Sequence, residues 1–513
     1  MADSNALAPP PAGLIAAVRH WLRVPANQLF LLLLGLAAFP LFFELGRTPV
    51  QLWDESRLAI SAVEMSRGGS WLVTTFEGKP DHWSTKPPLF IWCQVLFIKL
   101  LGYTAWALRL PTALSAMGTV VVLYRFAAHT LRRPLAGFFG GLVLVTTAGY
   151  VCLHGARTGD YDAMLAWWIT VSWLAFFHYL ENGRTRHLYW LGAALAAAVL
   201  TKGVAGLLGV PALGLYAALR GKLGWLLRQP RLYAVAAASL AVVGGYYAAR
   251  EAADPGYLAI VRANELGGRF TQVLEGHRGP WTFYFDKLYK ETFENWIWWL
   301  LPAVLIWLQP SRLVRRAGGL LLLVVLGWLG VLSTAATKLD WYAVPAYPAL
   351  ALLLGLGLDF FYHDILAANL PRVAPWLAWP LRVVLVVGLF YFPFRATMRR
   401  LVEERYSDYG QGPEAHLARY VGLMARERPA LDSLTLLSRG GYNAALMYYQ
   451  LVLAQTDHKY IQVAYHGHAS QLRTGAVVLL CNPAYRAQLN SLFHLGLVHQ
   501  EGPCQTVVLL SRK

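Results

Sequence analysis

The sequence is poor in charged residues: Asp, Glu, Lys and Arg make up 14% of the 513 residues, whereas hydrophobic residues make up 57%. A soluble globular protein carries about 25% charged and about 45–50% apolar residues. The shortage excludes an ordinary soluble domain and a disordered chain. Acidic residues are the scarcer of the two charged types: the chain has 28 Asp and Glu and 45 Lys and Arg, which gives a net charge of +17. In so apolar a chain, this excess is typical of cytoplasmic membrane loops rather than of a nucleic-acid-binding surface.

Cysteines are also few, and their spacing does not suit a metal ion. Cys93 and Cys152 fall in apolar segments and are predicted to be inert core residues. Cys481 and Cys504 share the C-terminal region, where a disulfide could form in an oxidising compartment. The sequence has no Gly-rich phosphate loop and no tandem repeat. We therefore predict no nucleotide site and no resident metal, although the adjacent acids described below permit a divalent cation without requiring one.

Long apolar runs, by contrast, are abundant. A helix needs about 20 residues to cross the hydrocarbon core. Runs of this kind lie at 27–45, 106–128, 135–153, 163–180, 187–201, 204–219, 232–249, 295–309, 318–335, 343–362 and 380–397. They predict a mainly α-helical polytopic membrane protein with about eleven transmembrane helices, and up to about thirteen within the uncertainty of span counting. The runs on either side of Thr201-Lys202-Gly203 fit either two short spans or one broken helix.

The positions of the charges predict the orientation. One set of connections is rich in arginine and lysine: Arg19, Arg23, Arg132, Arg133, Arg184, Arg186, Arg220, Lys222, Arg228, Arg231, Arg312, Arg315, Arg316 and Arg372. The opposite connections carry most of the acids of the membrane domain, including Asp54, Glu55, Asp160, Asp162 and Glu265. Positively charged loops stay in the cytoplasm. The acidic side is therefore predicted to face outward.

Three outward segments are too long to be turns. Residues 46–105 form the first loop, in which the apolar stretch 88–101 is predicted to be an interfacial helix. Residues 250–294 form the second long loop. After a transmembrane domain at 1–399, residues 400–513 are predicted to form a small soluble α/β domain. Alternating runs predict strands at 433–438, 460–465, 476–481 and 506–511, with helices at 414–428 and 444–454.

Carboxylates stand at two places on the outward face. Asp54 and Glu55, in Trp-Asp-Glu-Ser-Arg, follow the first span, and Arg57 closes this motif. Asp160 and Asp162 precede the span at 163–180, and Asp162 directly abuts the apolar run. Each motif alone also fits a hydrated loop. Carboxylates at membrane depth are nevertheless functional candidates by default, and two loops on one face favour a shared site.

Cations occur on the same face. Each one alone could reach the lipid headgroups with its charged end, but together with the carboxylates they predict a cavity that binds a phosphate and removes a proton. The candidates, together with a tyrosine that follows one of them, are Lys86, Lys202, Arg269, His277, Lys338 and Tyr342.

In this order, the motifs resemble the membrane glycosyltransferases of the GT-C type. They are Trp-Asp-Glu-x-Arg, Lys-Pro-Pro-Leu, the Asp162 loop, Leu-Thr-Lys-Gly, Gly-Arg-Phe…Gly-His…Pro-Trp and Lys-x-x-x-Tyr-x-x-Pro-x-x-Pro. The branch that the sequence is most similar to contains the dolichyl-phosphate-mannose protein mannosyltransferases and the bacterial 4-amino-4-deoxy-L-arabinose lipid A transferase. The resemblance covers residues 25–360.

The resemblance implies an inverting transfer of a sugar from a polyprenyl phosphate, undecaprenyl phosphate in bacteria, on the periplasmic face of the inner membrane. Asp54 matches the catalytic aspartate of the first loop and Asp162 the second-loop carboxylate, for which Asp160 is a substitute. Lys86 and Arg269 match positions that contact the carrier phosphate, and Tyr342 a position that lines the cavity. A hydroxyl is a poor nucleophile, and a carboxylate acting as general base accelerates its attack by about 10²–10⁴-fold.

Three alternatives stay open at this point. The acceptor could be lipid A, lipopolysaccharide or another envelope glycan, or it could be a protein Ser or Thr hydroxyl. A transporter or flippase for a lipid-linked anion would also use cations beside broken helices. A structural envelope protein would not need carboxylates and cations gathered on one face.

Overall fold

The computed structural model describes residues 22–152, 154–368, 376–402, 417, 420–424, 433–438, 442–456 and 460–513. Within these residues, eight helices are long and apolar enough to cross a membrane. They are Pro25–Phe42, Ala105–Thr130, Asp162–Asn182, Thr185–Leu207, Pro230–Ala253, Arg312–Thr334, Asp340–Asp364 and Ala378–Val402. The polytopic α-helical fold predicted from the sequence is therefore confirmed.

The other three predicted runs correspond to shorter apolar helices, namely Pro134–Val145, Val210–Leu219 and Ile297–Leu308. The expected break near Lys202 is also present. Helix Thr185–Lys202 ends where Gly203 takes a φ of 58°, and a 3₁₀ turn follows before the next helix starts at Val210. Glycine adopts this left-handed conformation without steric cost, so the chain can turn here and present Lys202 at the end of its helix.

Small residues allow the central helices to approach closely. Helix Pro134–Val145 packs along helix Tyr347–Phe360, and a Cβ added at Gly355 would lie 2.4 Å from the carbonyl oxygen of Ala136. Helix pairs inside membranes depend on such close packing, because lipid is as apolar as the side chains. Buried aromatic side chains, among them Trp173 and Trp328, fill the rest of this core.

At the predicted cytoplasmic end, arginines from separate connections lie together. Arg220, Arg312, Arg315 and Arg316 line one cavity, and Glu181 pairs with both Arg220 and Arg316. The gathering of these residues agrees with their assignment to one side of the membrane. Arg19 and Arg372 lie outside the described residues.

The first long loop contains helix Asp54–Ser66, a short hairpin of strands β1 (Thr75–Phe76) and β2 (Lys79–Pro80), and helix Leu89–Leu101. The last of these is the predicted interfacial helix. The second long loop consists of short helical pieces: Tyr257–Val261, Arg262–Gly268, Arg269–Thr271, Phe283–Lys287 and Leu288–Thr292.

The C-terminal region contains a five-stranded mixed sheet: β3 (Ser433–Ser438), β4 (Tyr460–Tyr465), β5 (Val477–Leu480), β6 (Phe493–Glu501) and β7 (Cys504–Arg512). The strand order is β4-β3-β5-β7-β6, with β3 parallel to β4 and β5, and β7 antiparallel to β5 and β6. Helices Ala444–Thr456 and Pro483–Leu492 accompany the sheet. The predicted α/β domain is thus confirmed, although β6 was not anticipated and most of the predicted helix 414–428 lies outside the described residues.

Two contacts fix this domain. Cys481 and Cys504, at neighbouring ends of β5 and β7, are joined by a disulfide. Helix Ala444–Thr456 packs on the first-loop helix Asp54–Ser66, and its Ala444 and Tyr448 share an apolar cluster with Leu58. The small domain therefore rests directly on the element that carries Asp54.

Candidate active site

Asp54 is the first residue of helix Asp54–Ser66 and is only partly exposed. Trp53, which precedes it, takes a φ of 76°. A non-glycine residue pays about 1–3 kcal/mol for such a backbone conformation, and such strain gathers at functional sites. The strained turn aims both side chains into the outward cavity described below.

His154 and Asp160 lie beside Asp54. His154 Nδ1 forms a short hydrogen bond with Asp160 Oδ2 and lies 3.8 Å from Asp54 Oδ2. The imidazole stacks on the ring of Trp341 at a centroid distance of 3.7 Å. The backbone N–H of Tyr161 donates to the other oxygen of Asp160. The loop that contains His154 and Asp160 is therefore folded so that both side chains lie beside Asp54.

The three groups affect one another's protonation. Burial, and then the negative charge of Asp160, raise the pKa of Asp54 above its ordinary value. Burial alone would lower the pKa of His154, but its bond to Asp160 raises it. Burial alone would raise the pKa of Asp160, but His154 lowers it. These directions favour a charged pair of His154 and Asp160 beside Asp54.

The same three side chains could also hold a divalent cation. One ligand atom from each of Asp54, His154 and Asp160 lies within 4.8 Å of the others. Oxygen and imidazole donors suit several divalent metals. The site thus fits a cation chemically, in agreement with the sequence, which permits one without requiring it.

Lys202 projects to this cavity from the broken helix. Its Nζ donates to both oxygens of Asp162 at 2.6 Å and lies 5.2 Å from the ring centre of Tyr342. Asp160, rather than Asp162, lines the cavity next to Asp54. The geometry therefore favours Asp160 as the second carboxylate of the site and makes Asp162 the counter-ion of Lys202.

Lys86 and Arg269 complete the set of cations. Lys86 Nζ lies 3.4 Å from Glu265 Oε1, and the hydroxyl of Thr85 donates to the same oxygen at 2.8 Å. Arg269 donates to the hydroxyl of Tyr342 at 3.0 Å. Burial would raise the pKa of Glu265, but the charge of Lys86 lowers it. Glu265 is thus an anionic partner of Lys86.

Two adjoining cavities result, and Asp54 belongs to both. The inner cleft has a volume of about 30 Å³ and is lined by Asp54, Lys86, Asp160, Lys202, Arg269 and Tyr342, among others. The outer chamber has a volume of about 700 Å³ and is lined by Trp53, Asp54, Arg57, Trp83, His154, Arg269, Glu275, His277, Leu339, Trp341 and Tyr442. Lys86 and Lys202 line only the inner cleft, whereas Trp53 and Tyr442 line only the outer chamber; Trp83, Trp341 and Arg269 line both.

Glu55 has a different role from the one expected of a substrate ligand. Its two oxygens accept from Nε and Nη2 of the fully buried Arg109 at 2.6 and 2.8 Å. The backbone N–H of Gly159 donates to Glu55 at 2.7 Å. Glu55 therefore faces away from the cavity and ties the first loop to the Asp160 loop.

Lys338 also lies outside the cavity lining. Its Nζ donates to the carbonyl oxygens of Leu332, Ser333 and Ala335, the last residues of the preceding helix. A lysine at a helix C-terminus stabilises the free carbonyl groups there. His277 is exposed at the outer chamber, and its backbone oxygen accepts from the N–H of Lys338 at 2.9 Å.

Arg57 lines the outer chamber with its charge already neutralised. It pairs with Asp81 at 2.7 Å and lies 4.0 Å from the ring centre of Phe76. It also donates to the hydroxyl of Tyr442 at 3.1 Å. Arg57 therefore joins the first loop to the C-terminal domain.

Sequence reasoning did not single out several residues of this site. Arg109 carried a usable signal, since it is a lone charge inside a long apolar run. Glu265 was counted only as an outward acid, and His154 only as part of its loop. Trp341 and Tyr442 carried no signal, because nothing in the order of residues brings them to Asp54.

The fold and the two cavities define a polytopic membrane protein with the fold of the GT-C glycosyltransferases. Residues 85–247 match the family model described as dolichyl-phosphate-mannose-protein mannosyltransferase. The crystal structure of ArnT from Cupriavidus metallidurans bound to undecaprenyl phosphate superposes with a TM-score of 0.66 at 18% identity, over 94% of this chain and 98% of that one. The resemblance drawn from the sequence motifs is therefore confirmed.

Curated relatives agree with this fold. The undecaprenyl phosphate-alpha-4-amino-4-deoxy-L-arabinose arabinosyl transferase 1 of Pseudomonas fluorescens is 30% identical over 69% of this chain. Its paralogue 2 from the same organism is 27% identical over 71% of this chain. The chain spans 63% and 62% of the length of these two relatives.

Proposed function

We infer that the protein is an integral membrane glycosyltransferase that transfers a sugar from a polyprenyl-phosphate donor, undecaprenyl phosphate in bacteria, to an acceptor of the cell envelope. The observation that carries this inference is the convergence of Lys86, Lys202 and Arg269 on a cleft that also contains Asp54. The curated relatives are named as transferases that use an undecaprenyl phosphate sugar. A site of this kind combines phosphate recognition with a base, which is what such a transfer needs.

In the proposed reaction, the acceptor oxygen attacks the anomeric carbon from the side of Asp54. The bond from that carbon to the phosphate oxygen breaks with inversion, and its electron pair stays on the phosphate. Lys86 and Arg269 stabilise the charge that grows there, Arg269 with more than one N–H. Asp54 takes the acceptor proton, for which its raised pKa suits it. Because the leaving group is already a phosphate, the chemistry requires no nucleotide.

We place the cavity and the C-terminal domain on the periplasmic side of a bacterial inner membrane. The disulfide between Cys481 and Cys504 supports this orientation, because such bonds persist in oxidising compartments. The arginine cluster around Arg220 and Arg316 supports it from the opposite end.

The preferred acceptor is lipid A, lipopolysaccharide or another envelope glycan, since the relatives are aminoarabinose transferases by name. Transfer to protein Ser or Thr is the second candidate, and the match of residues 85–247 to the mannosyltransferase family model favours it. A flippase for a lipid-linked anion would move the lipid without cleaving its sugar bond, so it would give no transferred sugar.

The test uses purified protein in lipid nanodiscs, a panel of synthetic undecaprenyl-phosphate sugars and purified lipid A. We expect Asp54→Asn to lower the transfer rate by about 10²–10⁴-fold at unchanged donor affinity. Arg269→Ala should weaken donor binding by about 10–100-fold, because it removes hydrogen bonds to a charged group.

The matched controls are Asp286→Asn and Arg278→Ala, two exposed residues of the second long loop. Neither should change the rate or the donor affinity by more than about twofold, as for other surface substitutions. A normal rate in Asp54→Asn would refute the proposed role of Asp54.

A further inference from the structure

The outer chamber presents aromatic rings to solvent on one side of Asp54. Trp53, Trp83 and Tyr442 have 51%, 40% and 45% of their surface exposed although they line a cavity. Trp341 forms another wall and is held in place by its stack on His154. The volume of about 700 Å³ lies within the range of small-molecule sites. The aromatic rings that line the chamber are therefore only partly covered by other protein groups.

One of these rings comes from the C-terminal domain. Tyr442 lies just before helix Ala444–Thr456 and stacks obliquely with Trp53 at a centroid distance of 5.7 Å. It also lies 6.1 Å from Phe76 and accepts a hydrogen bond from Arg57 at 3.1 Å. The small domain thus supplies a wall of the chamber that opens on the catalytic carboxylate.

The rings are oriented by the chain rather than left as loose surface groups. The ring of Trp53 packs against that of Tyr442 at a centroid distance of 5.7 Å. Tyr442 is fixed by Arg57, whose other N–H groups are held by Asp81 at 2.7 and 3.0 Å. Aromatic residues that anchor a protein at the lipid interface would face outward, whereas these face the cavity that contains Asp54.

Such a lining has a definite binding chemistry. The face of an aromatic ring is negative and attracts the weakly positive C–H groups that cover one side of a pyranose. The hydroxyl groups at the edge of a sugar need polar partners, and Glu275 and His277 stand at the same chamber.

We propose that the outer chamber is the acceptor site, that it binds the acceptor through a pyranose ring, and that Tyr442 of the C-terminal domain is a specificity-determining residue of this site. The proposal rests on the transferase function proposed above. It assigns the donor phosphate to the inner cleft and the acceptor sugar to the outer chamber, with Asp54 between them.

The test compares Tyr442→Ala, Tyr442→Phe and the control Tyr289→Ala. Tyr289 is a matched residue: it is 51% exposed, pairs with Trp298 at 5.8 Å and lies in the second long loop away from both cavities. With the donor sugar that gives turnover and with lipid A, we expect Tyr442→Ala to raise the acceptor KM by about fivefold to tenfold, as the loss of an aromatic contact would. The donor KM should stay unchanged.

The two other variants separate binding from structure. Tyr442→Phe keeps the ring and loses only the hydrogen bond from Arg57, so its acceptor KM should stay within about threefold of wild type. Tyr289→Ala should behave as wild type. A binding readout that needs no turnover is saturation-transfer NMR with a β-linked glucosamine disaccharide, which should show contact with the wild type and lose it in Tyr442→Ala.

The outcomes distinguish the two proposals. If the wild type transfers no sugar from any synthetic donor but its NMR contact with the disaccharide depends on Tyr442, the proposed reaction fails and the sugar site stands. If transfer occurs but the acceptor KM of Tyr442→Ala equals that of the wild type, the acceptor site is refuted. Preferential use of a Ser- and Thr-containing peptide, with a KM that depends on Tyr442, would refute the pyranose specificity.

Discussion

The inner cleft and the outer chamber meet at Asp54 and share Trp83, Trp341 and Arg269, but the rest of their linings differ. In the inner cleft, Lys202 pairs with Asp162, Lys86 pairs with Glu265, and Arg269 donates to the hydroxyl of Tyr342. In the outer chamber, Trp53 and Tyr442 remain about half exposed. A buried charge is costly unless it is paired, whereas a ring can stay partly exposed at little cost. The cleft proposed for the donor phosphate therefore keeps its two lysines paired within the protein, whereas the chamber proposed for the sugar leaves rings partly uncovered.

The largest loss of stability is expected at the buried ion pair of Glu55 and Arg109. Glu55→Gln should lower the free energy of unfolding by about 3–5 kcal/mol, because it leaves the guanidinium buried without its counter-charge. Thermal unfolding in nanodiscs measures this loss. The control is Glu181→Gln, which faces the partly exposed Arg220 and Arg316 and should cost about 1 kcal/mol or less. Equal losses in both variants would contradict the assignment of Glu55 as the tie between the two loops.

A smaller effect, a gain in donor affinity, is expected from a substitution at Glu265. Glu265→Gln removes the carboxylate that competes with an anionic ligand for Lys86 and should lower the donor KM by about two- to fivefold, in the range of partly screened ion pairs. Glu291→Gln is the matched control, since Glu291 pairs with Lys287 at 2.7 Å outside both cavities. Donor titrations in the transfer assay measure the difference. A raised donor KM would mean that Glu265 orients Lys86 rather than competing for it.

The smallest effect is expected from chelation. Three cations already supply positive charge to the inner cleft, so EDTA should change the transfer rate by no more than about twofold. The measurement is the initial rate before and after chelation, with Mg²⁺ or Mn²⁺ added back. A large loss that one of these ions restores would assign Asp54, His154 and Asp160 to a metal.

Apolar runs predict the helices well but not the number of spans: all eleven runs correspond to described helices, of which eight are long enough to cross a membrane and three are shorter. The cations Lys86, Lys202 and Arg269 could be predicted because each lies in a connection on the same predicted side of the membrane. The partner of each charged side chain could not be predicted from the sequence. Glu55 and Arg109 are 54 positions apart, and only packing decides that Glu55 faces Arg109 while its neighbour Asp54 faces the cavity.

The contact between Tyr442 and Arg57 spans 385 positions of the chain. A protein is synthesised from its N-terminus, and domains generally fold in that order. The residues that line the inner cleft, from Asp54 to Tyr342, are therefore synthesised before Tyr442. Under the proposed function, a growing chain would complete the cleft for the carrier phosphate before it completes the chamber for the acceptor.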